Sequence, residues 1–286
     1  MAPVITLTTD FGVGDGYAAG MKGVILSVNP QAVIVDICHT IKPQDIKQAA
    51  FIISTVHSSF PKDTIHVVVI DPCVGGDRRG VAVRTPDGCY IAPDNGLLSH
   101  VITEYLSEIR TSKRTEIRTV KLPNTIKAVS LTNREYWRSE VSPTFHGRDI
   151  FAPVAAHLSL GIPLEAVGDS IDSLNLFTIP KPHRNKRGVI AGCALHIDTF
   201  GNIITNIRKK DIPETAIIVE IAGKKIRGLS EYYAQRKSLC TLIGSSGYLE
   251  IALPNGSAAS TFGVKVGDGV RVTTYIGVTN NLERRV

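Results

Sequence analysis

Apolar and polar positions alternate in two distinct ways along the first two thirds of the chain. Short β-branched runs at 4–9 and 32–37 flank a segment at 17–28 whose apolar residues recur with a helical period, which predicts a β-α-β beginning. A second helical pattern covers 44–58. Residues 65–70 are apolar throughout, and so unbroken a run is typical of a central strand covered on both faces.

The same alternation continues beyond the central strand. Further strands are predicted at 80–85 and 89–92, on either side of a Pro-Asp-Gly turn, and helical patterns return at 96–106 and 149–160. We therefore expect an N-terminal α/β domain over residues 1–180, built of three layers with a largely parallel sheet between its helices.

The composition changes near residue 180. The stretch 179–188 has two prolines, several basic residues and no hydrophobic period, which is typical of a linker, and we assign 181–188 to that linker. Short β-rich runs separated by glycine-containing turns follow, so the second domain, 189–286, is expected to be a small antiparallel barrel or sandwich. The clearest of these runs are 217–221, 239–243, 248–253 and 270–275.

Length and composition suit a two-domain cytoplasmic protein. The chain has 286 residues, of which 43% are hydrophobic. No apolar run approaches the roughly 20 residues of a membrane-spanning helix, and residues 1–12 lack the basic and apolar regions of a signal peptide. The five cysteines form no Cys-x-x-Cys pair and are odd in number, which favours a reducing compartment over a zinc site or a disulfide framework.

The net charge of +6 raises the question of an anionic partner. The basic stretches lie at 110–121 and 181–187, and neither interleaves aromatic residues with its basic ones. Such runs are common on solvated loops, so we expect neither a nucleic acid nor a membrane as partner.

A glycine-rich loop with two carboxylates follows the first strand. Its G-x-G-x-x-A pattern at 14–19, with Asp36 further on, resembles a dinucleotide fingerprint. Asp10 and Asp15, however, would lie close to a bound pyrophosphate and repel it. Carboxylates accept hydrogen bonds from ribose hydroxyls and from ammonium groups, so the loop favours a neutral or cationic ligand. The structural alternative is that Asp15 caps the following helix.

Three further residues could form a catalytic set. Pro72 would end the central strand, and the glycines after it would let the chain double back, so that Asp71 and Arg78 could meet. The guanidinium would keep the carboxylate ionised, and His146 stands just before a predicted helix. From the residues alone, a water-orienting set and a structural ion pair with an unrelated histidine are equally supported.

Successive segments of the chain resemble signatures of the S-adenosylmethionine (SAM) hydroxide adenosyltransferase family, relatives of the SAM-dependent fluorinase and chlorinase. These segments are LTTDFG, MKGVI, IDPCVGGDRRG, APDNGLL, TFHGRDIFAPVAAHL, IDTFGNIITNI and SSGYLEIALPNGSA, in this order over nearly the whole chain. The resemblance implies an α/β domain followed by a β-barrel domain. It also implies a homotrimer that binds SAM between neighbouring subunits and hydrolyses it with water to adenosine and L-methionine, without a metal or a cofactor.

The resemblance also assigns roles to single residues. The catalytic triad falls on Asp71, Arg78 and His146, and the carboxylate that binds the ribose diol falls on Asp10. The remaining substrate-binding positions surround the methionine end or the adenine of SAM. They are Asp15, Tyr17, Asp198, Phe200, Asn202, Tyr233, Ser245, Ser246 and Glu250.

Some positions depart from the family pattern. Cys73 replaces a glycine of the D-P-G-V-G pattern, and Gln44 stands where the fluorinase has a tryptophan over the sugar. Asp71 would repel a halide, which argues against halogenation and leaves water as the nucleophile. A nicotinamide-dependent oxidoreductase built on the 14–19 loop and a non-catalytic SAM or adenosine sensor are the rival hypotheses, and the residues leave open which triad member is the base.

Overall fold

The computed structural model describes residues 2–106 and 116–274, so the predicted end of the last strand at Tyr275 lies outside the described residues. The chain divides into two compact units, Met1–Ile179 and Pro180–Val286. Each unit has its own hydrophobic core. Within the described residues, no helix combines the length and the apolar character needed to cross a membrane.

The first unit interleaves strands and helices. Its strands are β1 (Val4–Thr9), β2 (Val33–Cys38), β3 (Ile65–Val69), β4 (Gly80–Thr85), β5 (Gly88–Pro93), β6 (Ile117–Lys121), β7 (Lys127–Ser130), β8 (Asp169–Ile171) and β9 (Ser173–Phe177). Its helices are α1 (Tyr17–Val28), α2 (Ile46–Val56), α3 (Ser99–Thr103) and α4 (Ala152–Ser159). A π-helical turn, Gly147–Phe151, leads directly into α4.

Seven strands form the main sheet in the order β2-β1-β3-β5-β4-β7-β8, and β6 pairs separately with β9. The half that contains β2, β1, β3 and β5 is parallel, whereas β4 pairs antiparallel with both β5 and β7. The sheet is therefore mixed rather than largely parallel. The reason is local: only two residues join β4 to β5, and so short a connection allows a hairpin but no crossover.

Helices cover both faces of this sheet, which confirms the three-layer α/β architecture. On one face, Met21 and Ile25 of α1 are fully buried together with the apolar residues of α4. On the other face, α2 and α3 bury Ile53 and Val101. Every residue of β3 is buried, as its unbroken apolar run predicts.

The sheet register decides where the carboxyl ends of the strands lie. β1 and β3 are parallel neighbours, and Thr9 pairs with Val69. Asp10 follows Thr9 directly, and Asp71 lies two residues beyond Val69. Both carboxylates therefore belong to the same edge of the sheet, where open α/β sheets bind their ligands.

The second unit is built almost entirely of antiparallel strands. They are β10 (His183–Arg184), β11 (Ile190–Ile197), β12 (Ile203–Arg208), β13 (Ile217–Ile221), β14 (Lys224–Arg227), β15 (Cys240–Ile243), β16 (Tyr248–Ala252) and β17 (Gly269–Thr274), and the α-helix α5 (Ala258–Phe262) precedes β17. The predicted linker 181–188 belongs to this unit, and part of it forms β10, which pairs with β11.

The sheet of the second unit nearly closes on itself. Its main path runs β14-β13-β17-β11-β12-β16-β15, with every pairing antiparallel. The two ends of the path meet where Ser230, just after β14, forms a bridge to Leu242 of β15 and donates its amide to Thr241. The small antiparallel barrel is therefore confirmed.

Candidate active site

A cleft of about 320 Å³ opens at the carboxyl edge of the sheet in the first unit. Four segments line it: the loop after β1, the turn before α2, the end of β3 and the residues just before the π-helical turn. They bring Asp10, Gln44, Asp71 and His146 to one cavity. These residues are far apart in the sequence, and the parallel register of the sheet is what gathers them.

Arg78 lies between Asp71 and His146. Its Nε donates to both carboxylate oxygens of Asp71 at 2.9 Å, and its Nη2 donates to Asp71 Oδ2 as well. The same Nη2 donates to Nδ1 of His146 at 2.8 Å. The Asp71 side chain is only 5% exposed and that of Arg78 11%, so this ion pair is largely shielded from solvent.

The turn after β3 explains why Asp71 and Arg78 meet. The amide of Val74 donates to the carbonyl of Asp71, and the amide of Gly76 donates to that of Cys73. Gly75 has a φ of +79°, and a Cβ there would lie 2.4 Å from the carbonyl oxygen of Pro143. Only glycine fits this position, because the turn packs directly against the segment that carries the histidine. Cys73 is exposed on the turn.

The imidazole of His146 is neutral near pH 7. Burial lowers its pKa below the ordinary value, and the charge of Arg78 lowers it further, against the opposing charges of Asp71 and Asp149. Because a guanidinium can only donate, Nδ1 must be the acceptor in the contact with Arg78. The single proton of the neutral ring is therefore on Nε2.

Asp10 is held by backbone rather than by a cation. Its Oδ2 accepts a hydrogen bond of 2.8 Å from the amide of Gln44. Gln44 has a φ of 66°, a left-handed conformation that is strained for a residue with a side chain. Strained backbone is common at functional sites, and here the strained conformation directs the backbone amide of Gln44 towards the carboxylate of Asp10.

Two other predicted residues of the first unit lie elsewhere. Asp15 is exposed, and the hypothesis that it caps α1 is wrong, because Gly16 is the N-cap and no side chain bonds there. Tyr17 packs edge-on against Phe145 with ring centroids 5.3 Å apart, and it lines a neighbouring groove of about 390 Å³. Neither residue lines the cleft that contains Asp71.

The dinucleotide interpretation is not supported by the surroundings of Asp36. Its carboxylate accepts from Nζ of Lys22 at 2.5 Å and lies 3.0 Å from Nε2 of His39. A ribose-binding acid would need to offer its oxygens to the ligand. Asp36 instead ties β2 to α1.

The predicted residues of the second unit form their own group. Asp198 accepts from the amides of Phe200 and Asn202, at 2.9 and 2.8 Å, and from the side-chain amide of Asn202 at 3.0 Å. Phe200 is thereby held with 77% of its surface exposed. The hydroxyl of Tyr233 donates to Glu250 at 2.7 Å. Burial raises the pKa values of Tyr233 and Glu250, and the charge of Asp198 adds to both shifts.

The turn that carries Ser245 and Ser246 depends on a glycine. Gly244 donates to the carbonyl of Tyr248, and a Cβ on Gly244 would lie 1.7 Å from an oxygen of Glu250. The buried carboxylate therefore fills the space beside this turn. Ser245 is exposed and Ser246 half-buried.

The structure also shows a residue that sequence reasoning missed. Asp149 is fully buried and binds two arginines three residues after His146. Asp149 is the first residue of the helical pattern predicted over 149–160, where an acid is common, so no sequence signal indicated that this carboxylate is buried between partners. Among residues 2–106 and 116–274 there is no group of three histidine, cysteine or acidic side chains arranged to bind a metal ion.

Fold and cleft together define a class: α/β proteins with an added β-barrel unit that hold an Asp–Arg–His set at the carboxyl edge of the sheet. This chain belongs to the SAM hydroxide adenosyltransferase family. The N-terminal domain of that family matches residues 5–168, and its C-terminal domain matches residues 192–271.

The proteins similar to this chain include SAM hydrolases and fluorinases. The chain is 32% identical to the (R)-S-adenosyl-L-methionine hydrolase of Salinispora tropica, over 95% of this chain and 98% of that protein. It is 34% identical to the hydrolase of the same name from Methanocaldococcus jannaschii, over 94% and 95%. A fluorinase from Nocardia brasiliensis is 29% identical over 94% and 96%. A crystal structure of an uncharacterised conserved protein from Thermotoga maritima superposes with a TM-score of 0.82 at 32% identity, covering 94% of this chain and 99% of that one.

Proposed function

We propose that this protein hydrolyses S-adenosyl-L-methionine, in the (R) configuration at sulfur, to adenosine and L-methionine. Water attacks C5' of the ribose opposite the sulfonium: an O–C bond forms, the C–S bond breaks, and its electron pair leaves on the neutral thioether of methionine. The water loses one proton. The observation that carries the proposal is the Arg78 guanidinium, which joins Asp71 and His146 in one cleft. The configuration follows the names of the hydrolase relatives.

The hydrogen bonds suggest separate roles for the three residues. Nδ1 of His146 is occupied by Arg78, so its Nε2–H can donate to the oxygen of the attacking water but cannot take a proton from it. Asp71 remains the acceptor for the proton, because a carboxylate offers about four lone-pair sites and Arg78 uses only part of them. Arg78 fixes both partners and stays charged throughout.

Confinement and electrostatics together supply the rate enhancement. A water held about 3 to 3.5 Å from the carbon is already near its attacking position, which removes much of the entropic barrier. Positive charge leaves sulfur as the proton leaves water, and the shielded Asp71–Arg78 pair stabilises that redistribution because it cannot be screened by bulk solvent.

A halide fits this cleft poorly. The Arg78 guanidinium, which contacts Asp71 and His146 of the cleft, is neutralised by Asp71, so this pair offers no net positive charge to offset the dehydration of an anion. We therefore do not extend the halogenating activity of the fluorinase relative to this protein.

Substrate binding is assigned to both units. Asp10 accepts from the ribose diol. Asp15 and Tyr17 in the first unit, and Asp198, Phe200, Asn202, Tyr233, Ser245, Ser246 and Glu250 in the second, contact the rest of SAM. The support is the exposed aromatic ring of Phe200 and the hydrogen bond from the exposed Tyr233 to the buried carboxylate of Glu250.

We further propose a cytoplasmic homotrimer that binds SAM between neighbouring subunits, with no cofactor. Two neighbouring apolar side chains are exposed after β1, Val13 at 80% and Tyr17 at 51%, and this supports burial of the loop by another subunit. Five free cysteines suit a reducing compartment. Light scattering in solution would return three times the 30.9 kDa mass of the chain, and a monomer would contradict this part of the proposal.

Incubation with each sulfur epimer of SAM, followed by chromatography, tests the activity. Adenosine and methionine should appear in equal amounts from the (R) epimer. Binding without turnover would instead identify a sensor, and fluoride- or chloride-dependent loss of adenosine would identify a halogenase. Binding of a nicotinamide cofactor would support the oxidoreductase hypothesis.

A further inference from the structure

A buried carboxylate lies three residues after His146 and carries no role so far. The side chain of Asp149 is 0% exposed. Arg148 donates to its two oxygens at 2.7 and 3.0 Å, Arg138 donates at 2.9 Å, and the amide of Ser142 donates at 2.9 Å. Burial raises the pKa of Asp149, but these hydrogen bonds lower it more, so the carboxylate is ionised.

These bonds close the segment 138–149 into a loop. The carbonyl of Asp149 also accepts from the backbone amide of Arg138, so both ends of the loop are fixed at one residue. His146 stands inside the loop, and so does Pro143, against which the Gly75 turn packs. The carboxylate thus sets the position of the loop that brings His146 to Arg78.

A second chain of contacts leads from Asp149 to the loop that follows β1. The guanidinium of Arg148 stacks over Phe145 at 4.9 Å. Phe145 packs edge-on against Phe11, with ring centroids 5.6 Å apart, and Phe11 directly follows Asp10. These ring contacts pack the His146 segment against the loop after β1, so Asp149 fixes the wall of the cleft that carries His146 without lining the cleft itself.

We propose that Asp149 is a positioning residue for the hydrolysis, which holds Nδ1 of His146 against Arg78 from behind the cleft; this inference rests on the proposed function. If Asp149 served only the stability of the fold, its replacement would lower kcat by the same factor whether or not His146 is present. A positioning role makes the effect of Asp149 depend on the presence of His146.

A double-mutant cycle tests this dependence. Asp149→Asn should lower kcat by about 100-fold, the cost expected of a displacement of roughly 1 Å, and leave KM within about 2-fold. Because the charge of Asp149 opposes the lowering of the His146 pKa, the acid limb of the kcat profile should also move to lower pH. The Asp149→Asn/His146→Gln protein should have the same kcat as His146→Gln alone. Multiplicative losses, or a raised KM with unchanged kcat, would overturn the proposal.

A second pair of variants covers the case in which Asp149→Asn does not fold. Arg148→Met removes the two-bond contact to the carboxylate and should reproduce the kcat loss in weaker form. The acid limb should not move to lower pH in this variant, because the charge of Asp149 remains. Arg134→Met is the matched control, since Arg134 is exposed and stacks on Trp137, and the hydrogen bonds of Asp149 come from Arg138, Ser142 and Arg148. Equal kinetics for Arg148→Met and Arg134→Met would contradict the inference. An inactive wild type, or full activity in His146→Gln, would refute the proposed function instead.

Discussion

Replacement of Asp71 by asparagine separates a catalytic carboxylate from a structural ion pair. The change keeps the shape of the side chain and removes the charge that compensates Arg78, which is only 11% exposed. Breaking a buried pair from one side costs about 3 to 5 kcal/mol, and the residual exposure of Arg78 places the loss of stability at about 3 kcal/mol. Loss of the proton acceptor should lower kcat by at least about 100-fold.

The double variant Asp71→Leu/Arg78→Met distinguishes the two effects. Replacing both charges by apolar groups removes the uncompensated guanidinium, so the free energy of unfolding should return to near its wild-type value. Turnover should stay lost. Urea denaturation measures the first quantity, and adenosine release from (R)-SAM measures the second. Wild-type turnover in Asp71→Asn, with only its stability lowered, would show that the pair is structural and refute the assigned role.

Three further predictions concern binding, acid stability and the second unit. Asp10→Asn should raise the Kd for SAM by about 10-fold or more, measured by calorimetry, because a charge-assisted hydrogen bond is lost. His66 is buried with its pKa lowered from 6.5 to about 4, so the unfolded state binds the proton first. Stability should fall by about 3 kcal/mol as pH drops from 6.5 to 4, and urea midpoints of His66→Gln should show a flatter decline. Gly244→Ala should lower the melting temperature by forcing Glu250 aside, whereas Gly269→Ala, with open space around it, should not.

Local pattern predicted the elements of the first unit closely. The helical period at 17–28 coincides with α1, and the β-branched run at 4–9 coincides with β1. The helix expected at 96–106 is shorter, because Gly96 adopts a φ of +97° and α3 begins only at Ser99. Strand pairing was harder to predict, since the order that inserts β5 between β3 and β4 depends on long-range packing.

In the candidate site too, local features could be predicted from the sequence, whereas features that depend on long-range contacts could not. The motif around residues 71–80 predicted that Asp71 and Arg78 could meet, because prolines and glycines act locally, and the structure does bring them together. The neutral tautomer of His146 could not be predicted, since it depends on a contact across 68 residues. Asp149 was missed for a related reason: the sequence shows a charge, while its burial between two arginines emerges only from the fold.

The most direct test of the account is hydrolysis of (R)-SAM in water enriched in oxygen-18, with mass spectrometry of both products. In-line attack at C5' predicts one heavy oxygen in the 5' hydroxyl of adenosine and none in methionine. Label in methionine, an S-adenosylhomocysteine product, or no product at all would contradict it.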